Sequence, residues 1–292
     1  MTRQGFAVGP RPMDGKIEMF VKGPWSAEAG AAFGAASAES LVLNYAHGFD
    51  ETDLEFVRGL AVRQLTILDR RLPSLEPIYD LAPTLESLSL EVDGSLMLDL
   101  ERLPHLTELA CNWGQIKKSF AGAVGLRRLY AGKYTEATLE PLTVATGLQF
   151  IVMKDRPSLR SLDGLGDLSD IQQLEIYRAS KLTDTGALRL APGLQELQLQ
   201  TCRKIATMDD VALCADLTFL NLSEGAEFPS AEPLRGLKKL LDLYLYDTTR
   251  FTDGDLSPIA ELPLLRDFRM MNRKHYRPSA EEIKQNIAAR QG

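Results

Sequence analysis

The side chains able to do acid–base, nucleophilic or metal chemistry are few and lie far apart along the chain. The histidines are His47, His105 and His275. No nucleophile-elbow, phosphate-loop or zinc-protease motif occurs, and no two cysteines have C-x-x-C spacing. Carboxylate pairs such as Asp209-Asp210 are most simply solvated surface residues. We therefore expect no enzyme activity, no metal site and no cofactor.

The cysteines predict structural thiols. Cys111 occupies an apolar core position of the pattern described below, Cys202 lies five residues after one of its central leucines, and Cys214 lies in a segment rich in alanine and leucine. A total of three cysteines in 292 residues cannot form a disulfide framework, which favours a reducing compartment. We expect all three to be buried and unpaired.

Charge and hydropathy exclude several partner classes. The chain has 33 basic and 40 acidic residues, so its formal net charge is −7. A negative chain is a poor general binder of nucleic acid or of anionic membranes. No apolar segment approaches the ~20 residues of a membrane helix, and no secretory signal follows Arg3. We expect a cytoplasmic protein that binds neither nucleic acid nor membrane; a secreted effector without a leader would have the same features.

One apolar pattern recurs eleven times and must position any binding residues. It reads apolar-x-x-apolar-x-apolar, as in Leu194 to Leu199, with repeats 20–25 residues apart. All 33 framework positions are apolar, although only 45% of the chain is hydrophobic. The second apolar residue of each pattern, here called the anchor, is Leu41, Leu65, Leu88, Leu109, Leu129, Ile151, Leu174, Leu197, Leu220, Leu243 or Phe268.

This pattern resembles the leucine-rich repeat family, whose unit is L-x-x-L-x-L-x-x-N/C over 20 to 29 residues. The resemblance implies an α/β solenoid: a right-handed curved horseshoe with a parallel concave sheet and short helices or 3-10 turns on the convex side. Strand alternation supports it, because the two apolar residues of L-x-L point to one face and need a neighbouring coil for burial.

The position five residues after the anchor departs from this family. It should hold Asn or Cys, and only Cys202 fits. Without a ladder of asparagine side chains, we expect irregular turns after the strands.

The segments outside the repeats predict caps. Residues 1–37 should form an N-terminal cap from a strand at Ile17–Val21 and a helix that begins after Ser26. Residues 38–275 should form one solenoid without an independent second domain. Residues 276–292 should form a C-terminal capping helix with a capping box between Ser279 and Glu282.

The solvent-facing strand positions predict the binding surface. These are the residues one before and one, three and four after each anchor; eight of the 44 are aromatic, or 18% against 7% for the whole chain. Strand propensity explains part of this excess, and a partner surface is the functional alternative. The predicted site comprises Tyr45, Trp113, Tyr130, Phe150, Tyr177, Phe219, Tyr244 and Tyr246, with Arg128, Lys133, Lys154 and Arg178 as a basic centre.

The fold and this surface together predict a non-enzymatic scaffold that binds another protein on its concave face. Tyr130, Phe150 and Tyr177 should form its aromatic centre. A monomer is the simplest state, and the Ala-, Leu- and Arg-rich composition favours a bacterial immunity protein, regulator or effector. A receptor that stacks carbohydrate or a small ligand on a Tyr/Trp shelf is the alternative.

We expect Leu197→Asp or Leu220→Asp to prevent folding, because either change places an unpaired charge among the framework leucines. Circular dichroism during heating should show no cooperative transition. A variant that melts like the unaltered chain would show that the framework register is wrong.

Overall fold

A computed structural model describes residues 5–12 and 14–291. The chain divides into two compact units, Met1–Leu129 and Tyr130–Gly292, here called the N-terminal and C-terminal units. The boundary falls inside the predicted solenoid segment, so the division into 1–37, 38–275 and 276–292 stays a prediction.

The N-terminal unit is a stack of short strands joined by 3-10 turns. Its strands are β1 (Phe6–Pro10), β2 (Ile17–Val21), β3 (Ser40–Asn44), β4 (Gln64–Leu68), β5 (Ser87–Glu91) and β6 (Glu108–Asn112). Its helices are α1 (Ala27–Ala35) and α2 (Trp113–Ile116), with 3-10 turns at Tyr45–His47, Glu55–Val57, Glu76–Leu81, Leu100–Arg102 and Phe120–Gly122. Strand β1 is antiparallel to β2, and β2 to β6 pair in parallel in chain order. Strand β7 (Arg128–Gly132) contains the boundary between the units.

The C-terminal unit repeats this architecture. Its strands are β8 (Phe150–Lys154), β9 (Gln173–Tyr177), β10 (Glu196–Gln200), β11 (Phe219–Asn221), β12 (Glu227–Phe228), β13 (Asp242–Leu245), β14 (Arg250–Phe251) and β15 (Asp267–Met270). Its helices are α3 (Ser257–Ala260) and α4 (Ala280–Gln291), with 3-10 turns at Glu140–Leu142, Leu165–Asp167, Gly186–Leu190, Val211–Leu213 and Glu232–Gly236. Strands β8, β9, β10, β11, β13 and β15 pair in parallel, and β12 pairs with β14 in a separate two-stranded sheet.

The apolar framework stacks in register. Leu197 lies between Leu174 and Leu220 in the C-terminal unit, and Leu65 lies between Leu41 and Leu88 in the N-terminal unit. All 33 framework residues are buried. The predicted solenoid of parallel strands and short turns is confirmed, because each coil buries its leucines against the next one.

The chain ends fold largely as the local signals predict. Strand β2 and helix α1 lie in the predicted segments, and the Ser26 hydroxyl accepts the Ala29 N–H at 3.1 Å. Ser279 and Glu282 form the expected capping box before α4. Strand β1 was missed, because its Gly-Pro ending and short length gave no strand periodicity.

The turns after the strands of the C-terminal unit are regular, so the expectation of irregular turns is wrong there. The fourth residue after each anchor has a left-handed φ of 53–63° in six successive coils, at Lys133, Asp155, Arg178, Thr201, Glu224 and Asp247. This conformation costs a non-glycine residue about 1 kcal/mol. The backbone offsets it with bonds between coils: Arg178 N–H donates to the Gln200 carbonyl at 2.9 Å and Thr201 N–H donates to the Ser223 carbonyl at 3.0 Å.

Two side chains take the place of the missing asparagines. The Cys202 thiol lies 3.7 Å from the Ile176 carbonyl of the preceding coil. The fully buried Thr249 hydroxyl donates to the Leu222 carbonyl at 2.6 Å and accepts the Gly225 N–H at 2.9 Å. A hydroxyl or thiol thus satisfies backbone groups that would otherwise be buried without a partner.

The N-terminal unit ends its strands differently, which corrects one predicted site residue. At the corresponding position Asp69, Val92 and Trp113 are buried and Tyr45 is exposed, and none of these residues has a positive φ. Trp113 begins α2 and packs against Phe120, with ring centroids 5.1 Å apart. Trp113 is therefore a core residue and does not lie on a solvent-facing surface; the proposed Tyr/Trp shelf lacks its tryptophan.

We predict that Thr249→Val destabilises the chain by about 1–3 kcal/mol, because the valine leaves a buried N–H and a buried carbonyl unsatisfied. Urea unfolding should show a lower midpoint with an unchanged slope. Thr249→Ser keeps the hydroxyl and should lose markedly less. Equal stability of the valine variant and the unaltered chain would contradict the bridging role.

Candidate functional site

The candidate site is the solvent side of the parallel strands in the C-terminal unit, here called the open face. Strand alternation exposes there the side chains directly before and after each anchor. The residues before the anchors form one row across the strands: Phe150, Gln173, Glu196, Phe219, Asp242 and Asp267. Those after the anchors form the next row: Val152, Glu175, Gln198, Asn221, Tyr244 and Arg269. Most of these side chains are half-buried, so they form a nearly continuous surface.

An aromatic pair lies on the side of the open face nearer the C-terminus. The rings of Phe219 and Tyr244 meet edge to face, with centroids 5.1 Å apart. The Arg269 guanidinium lies 4.3 Å from the Tyr244 ring centroid, and the Tyr244 hydroxyl donates to Asp267 at 2.8 Å. Hydrogen bonds from Arg269 and Tyr244 lower the pKa of Asp267. This arrangement fixes two rings in one orientation before any partner arrives.

A polar network occupies the middle of the open face. The Tyr177 hydroxyl donates to Glu175 at 2.7 Å, and the Asn221 amide donates to Gln198 at 3.1 Å. Burial, followed by the hydrogen bond to the Glu175 carboxylate, raises the pKa of Tyr177. The Gln173 amide also donates to Glu175. These bonds hold the polar side chains in single rotamers, so little conformational entropy remains to be lost on binding.

Glu196 is the exception within this surface. Its half-buried carboxylate makes no hydrogen bond or ion pair with any residue that the structure describes. Burial, and then the charges of Glu175 and Asp242, raise its pKa. Asp242, by contrast, lies 3.2 Å from Arg266. Glu196 is therefore a carboxylate whose charge a cation from outside the chain would stabilise.

Two members of the predicted aromatic centre, Phe150 and Tyr177, do not lie side by side. Phe150 pairs with Gln173, whereas Tyr177 lies four residues farther along the same strand. Four residues of extended strand span about 13 Å, so Phe150 and Tyr177 lie at opposite ends of neighbouring strands. The expectation compared neighbouring coils and neglected position along the strand. On the open face, the rings of Phe219 and Tyr244 do contact each other.

The predicted cations lie at the strand ends and form no basic centre on the open face. Lys133, Lys154 and Arg178 are exposed, and Lys133 and Arg178 occupy the left-handed turn position. Lys154 Nζ lies 5.6 Å from the Tyr177 ring centroid. The two rows beside the anchors carry the carboxylates of Glu175, Glu196, Asp242 and Asp267 and the cation Arg269, so the predicted cations Lys133, Lys154 and Arg178 lie outside these rows.

The remaining predicted residues fall into two groups. In the N-terminal unit, Tyr45 is 59% exposed in a 3-10 turn, and Arg128 lies 3.6 Å from Glu108. In the C-terminal unit, Tyr130 is half-buried on β7 and Tyr246 is 55% exposed at the end of β13.

Sequence reasoning missed the polar half of the site. Glu196, Gln198 and Asn221 occupy solvent-facing positions of the repeat, and that position was the available signal. An excess of aromatic residues does not reveal these polar side chains.

The described residues, 5–12 and 14–291, contain no group of three or more metal-ligating side chains. Within the same ranges, no helix is long and apolar enough to cross a membrane.

Cys111, Cys202 and Cys214 are buried free thiols, and burial raises their pKa values to about 12, about 11 and about 11. Thiols with such pKa values are poor nucleophiles at neutral pH.

Comparison with known proteins establishes the fold alone. No family model matches the chain, and no curated protein matches it in sequence. Among solved structures, a leucine-rich repeat protein of Leptospira interrogans is 18% identical, with a TM-score of 0.61 over 86% of this chain and 70% of its own. TLR13 in complex with ssRNA13 is 17% identical, with a TM-score of 0.56 over 80% of this chain and 39% of its own. The ectodomain of the Arabidopsis thaliana receptor kinase GASSHO1/SCHENGEN3, in complex with CASPARIAN STRIP INTEGRITY FACTOR 2, is 15% identical, with a TM-score of 0.50 over 80% of this chain and 32% of its own. The chain has the leucine-rich repeat fold.

We predict that Glu196→Gln raises the melting temperature at pH 7 by about 1–2 °C. A raised pKa means that the carboxylate destabilises the folded state when ionised, and the neutral amide removes that penalty. The gain should shrink as the pH falls through the raised pKa, because Glu196 itself then becomes neutral. Calorimetry between pH 7 and pH 4 tests this; a gain that does not change with pH would contradict it.

Proposed function

We propose that this protein is a non-enzymatic scaffold that binds another protein on the open face. The observation that carries the proposal is the pair of Phe219 and Tyr244, held edge to face on a solvent-exposed sheet with Arg269 and Asp267 around it. Aromatic rings edged by arginine are the common composition of interface hot spots.

The size of the open face supports a protein partner. The six parallel strands from β8 to β15 extend over about 24 Å at ~4.8 Å per strand. Solenoids with such surfaces serve mainly as recognition modules. The solved neighbours with TM-scores of at least 0.5 include one protein bound to a single-stranded RNA and one bound to an integrity factor. Those complexes support a binding role for proteins of this fold. They do not identify the partner of this chain.

The charges of the open face indicate what the partner presents. Glu196 forms no ion pair within the described part of the chain, and Glu175 and Asp242 add to the negative potential around it. A lysine or arginine of the partner placed at Glu196 would relieve this repulsion. The identity of such a partner then decides whether the scaffold works as an immunity protein, a regulator or an effector.

Truncation of the aromatic pair tests the proposal. After affinity capture of a partner from the native lysate, Phe219→Ala and Tyr244→Ala should each weaken its binding by about 30-fold in calorimetry, because a hot-spot truncation costs about 2 kcal/mol. Lys238→Ala, which changes an exposed residue away from the open face, should leave the affinity unchanged.

Melting curves of the same variants serve as the control for folding. Unchanged affinity in both folded aromatic variants would overturn the proposed site. A glycan array run in parallel addresses the alternative, since specific glycan binding without a protein partner would favour a carbohydrate receptor.

A further inference from the structure

Beside the open face, three consecutive coils carry a cluster of exposed cations just after their strands. Each coil contributes two of them, and together they are here called the basic strip: Lys154 at the end of β8 and Arg156 after it, Arg178 and Lys181 after β9, and Arg203 and Lys204 after β10. All six are exposed. This concentration stands out in a chain with a net charge of −7.

The fold places the six side chains along one edge. Strands β8, β9 and β10 pair in parallel and in register, so their ends coincide at the same edge of the sheet. The segments after the strands are also tied together, since Arg178 N–H donates to the Gln200 carbonyl and Thr183 N–H donates to the Arg160 carbonyl. Neighbouring coils lie about 4.8 Å apart, so six positive charges occupy an edge about 10 Å long.

The cations of the strip differ from most others in lacking internal partners. Elsewhere in the described residues, arginines such as Arg58, Arg71 and Arg235 form ion pairs with carboxylates of their own or adjacent coils. No ion pair of the described residues includes a cation of the strip; Lys154 contacts the Tyr177 ring, and Arg203 donates to a backbone carbonyl at 3.3 Å. One exposed carboxylate, Asp155, lies between Lys154 and Arg156 and offsets part of this charge. The strip still keeps an excess of positive charge, which an anion would stabilise.

The chemistry around the strip favours a short acidic segment of a protein. The next two coils place Glu224 and Asp247 at the same turn position that Arg178 occupies. A long polyanion such as a nucleic acid would extend from the strip onto these carboxylates and be repelled, whereas an acidic stretch of three or four residues fits the ~10 Å of positive edge. Lys154 lies over one face of the Tyr177 ring, and the Tyr177 hydroxyl donates to Glu175. This ring could therefore stack at most one base, whereas single-stranded nucleic acid is bound by a series of stacking aromatic side chains.

We propose that the basic strip is a second contact surface, which binds an aspartate- or glutamate-rich segment of the partner protein. This inference rests on the proposed scaffold function and adds the chemical class of the partner segment and its place. Binding there depends on charge, so it weakens as salt screens the interaction.

The test uses a fluorescein-labelled oligoglutamate peptide and fluorescence anisotropy, at about 20 mM and about 200 mM salt. The unaltered chain should bind the peptide at low salt and lose most of the affinity at high salt. The triple variant Arg156→Glu/Lys181→Glu/Arg203→Glu should bind at least about tenfold more weakly. Its matched control is Lys117→Glu/Lys118→Glu/Lys238→Glu, which makes the same change in net charge at exposed lysines outside the strip and should stay within about twofold of the unaltered chain.

Three outcomes overturn the inference: no peptide binding at low salt, equal loss in the strip variant and its control, or tighter binding of a single-stranded oligoribonucleotide than of the peptide. Circular dichroism of both triple variants establishes that they are folded. Phe219→Ala/Tyr244→Ala should bind the peptide like the unaltered chain. If the basic strip does not bind the peptide, binding of a partner through Phe219 and Tyr244 is still possible. If no partner binds through Phe219 and Tyr244, the peptide result is unaffected.

Discussion

The structure depends on one constraint: a coil of about 23 residues cannot bury its own leucines and must stack them on the next coil in register. Leu174, Leu197 and Leu220 lie side by side because each needs its neighbours. A slip of one residue in a strand would move its whole framework to solvent, so the register tolerates no error. The same constraint therefore determines which side chains reach the open face, although those side chains contribute little to the core.

The ends of the strands show how this constraint separates structure from chemistry. In the coils from Lys133 to Asp247 the turn position has a left-handed backbone, and hydrogen bonds between main chains of adjacent coils, such as that from Arg178 to Gln200, stabilise it. The side chain there varies in type, from Arg178 through Thr201 to Glu224, and the backbone conformation is the same for all three. Some of these side chains also join coils, since the Glu224 carboxylate accepts hydrogen bonds from Gln200 and Thr201. In the N-terminal unit the corresponding side chains of Val92 and Trp113 fill the core instead. Positions freed from packing are the ones whose residue type can be set by a partner.

Periodicity predicted the framework because every repeat must bury the same positions. Helix caps such as Ser26 were predictable because the groups they bond lie within a few residues in sequence. The left-handed turn at Arg178 could not be predicted, because an arginine gives no sequence signal for a positive φ. The conformation is stabilised by the backbone of the next coil, which lies far away in sequence. Trp113 was misplaced for the same reason: its position in the repeat equals that of Arg178, but α2 starts there. To predict the contact between Phe219 and Tyr244, one needs the register between their two strands. Spacing along the chain gives that register only when the position of each residue within its strand is also considered.

Charge along the coils limits how a partner can dock. In the coil of β10, Glu196 lies before the anchor on the open face, and Arg203 follows the strand at the opposite end. The negative and positive groups are separated by the strand, about 13–17 Å of extended chain. A partner that presents a cation to Glu196 and an acidic segment to the basic strip satisfies both at once. The same partner turned end for end would bring like charges together at both places, so in the proposed complex the charge arrangement would favour one direction of binding.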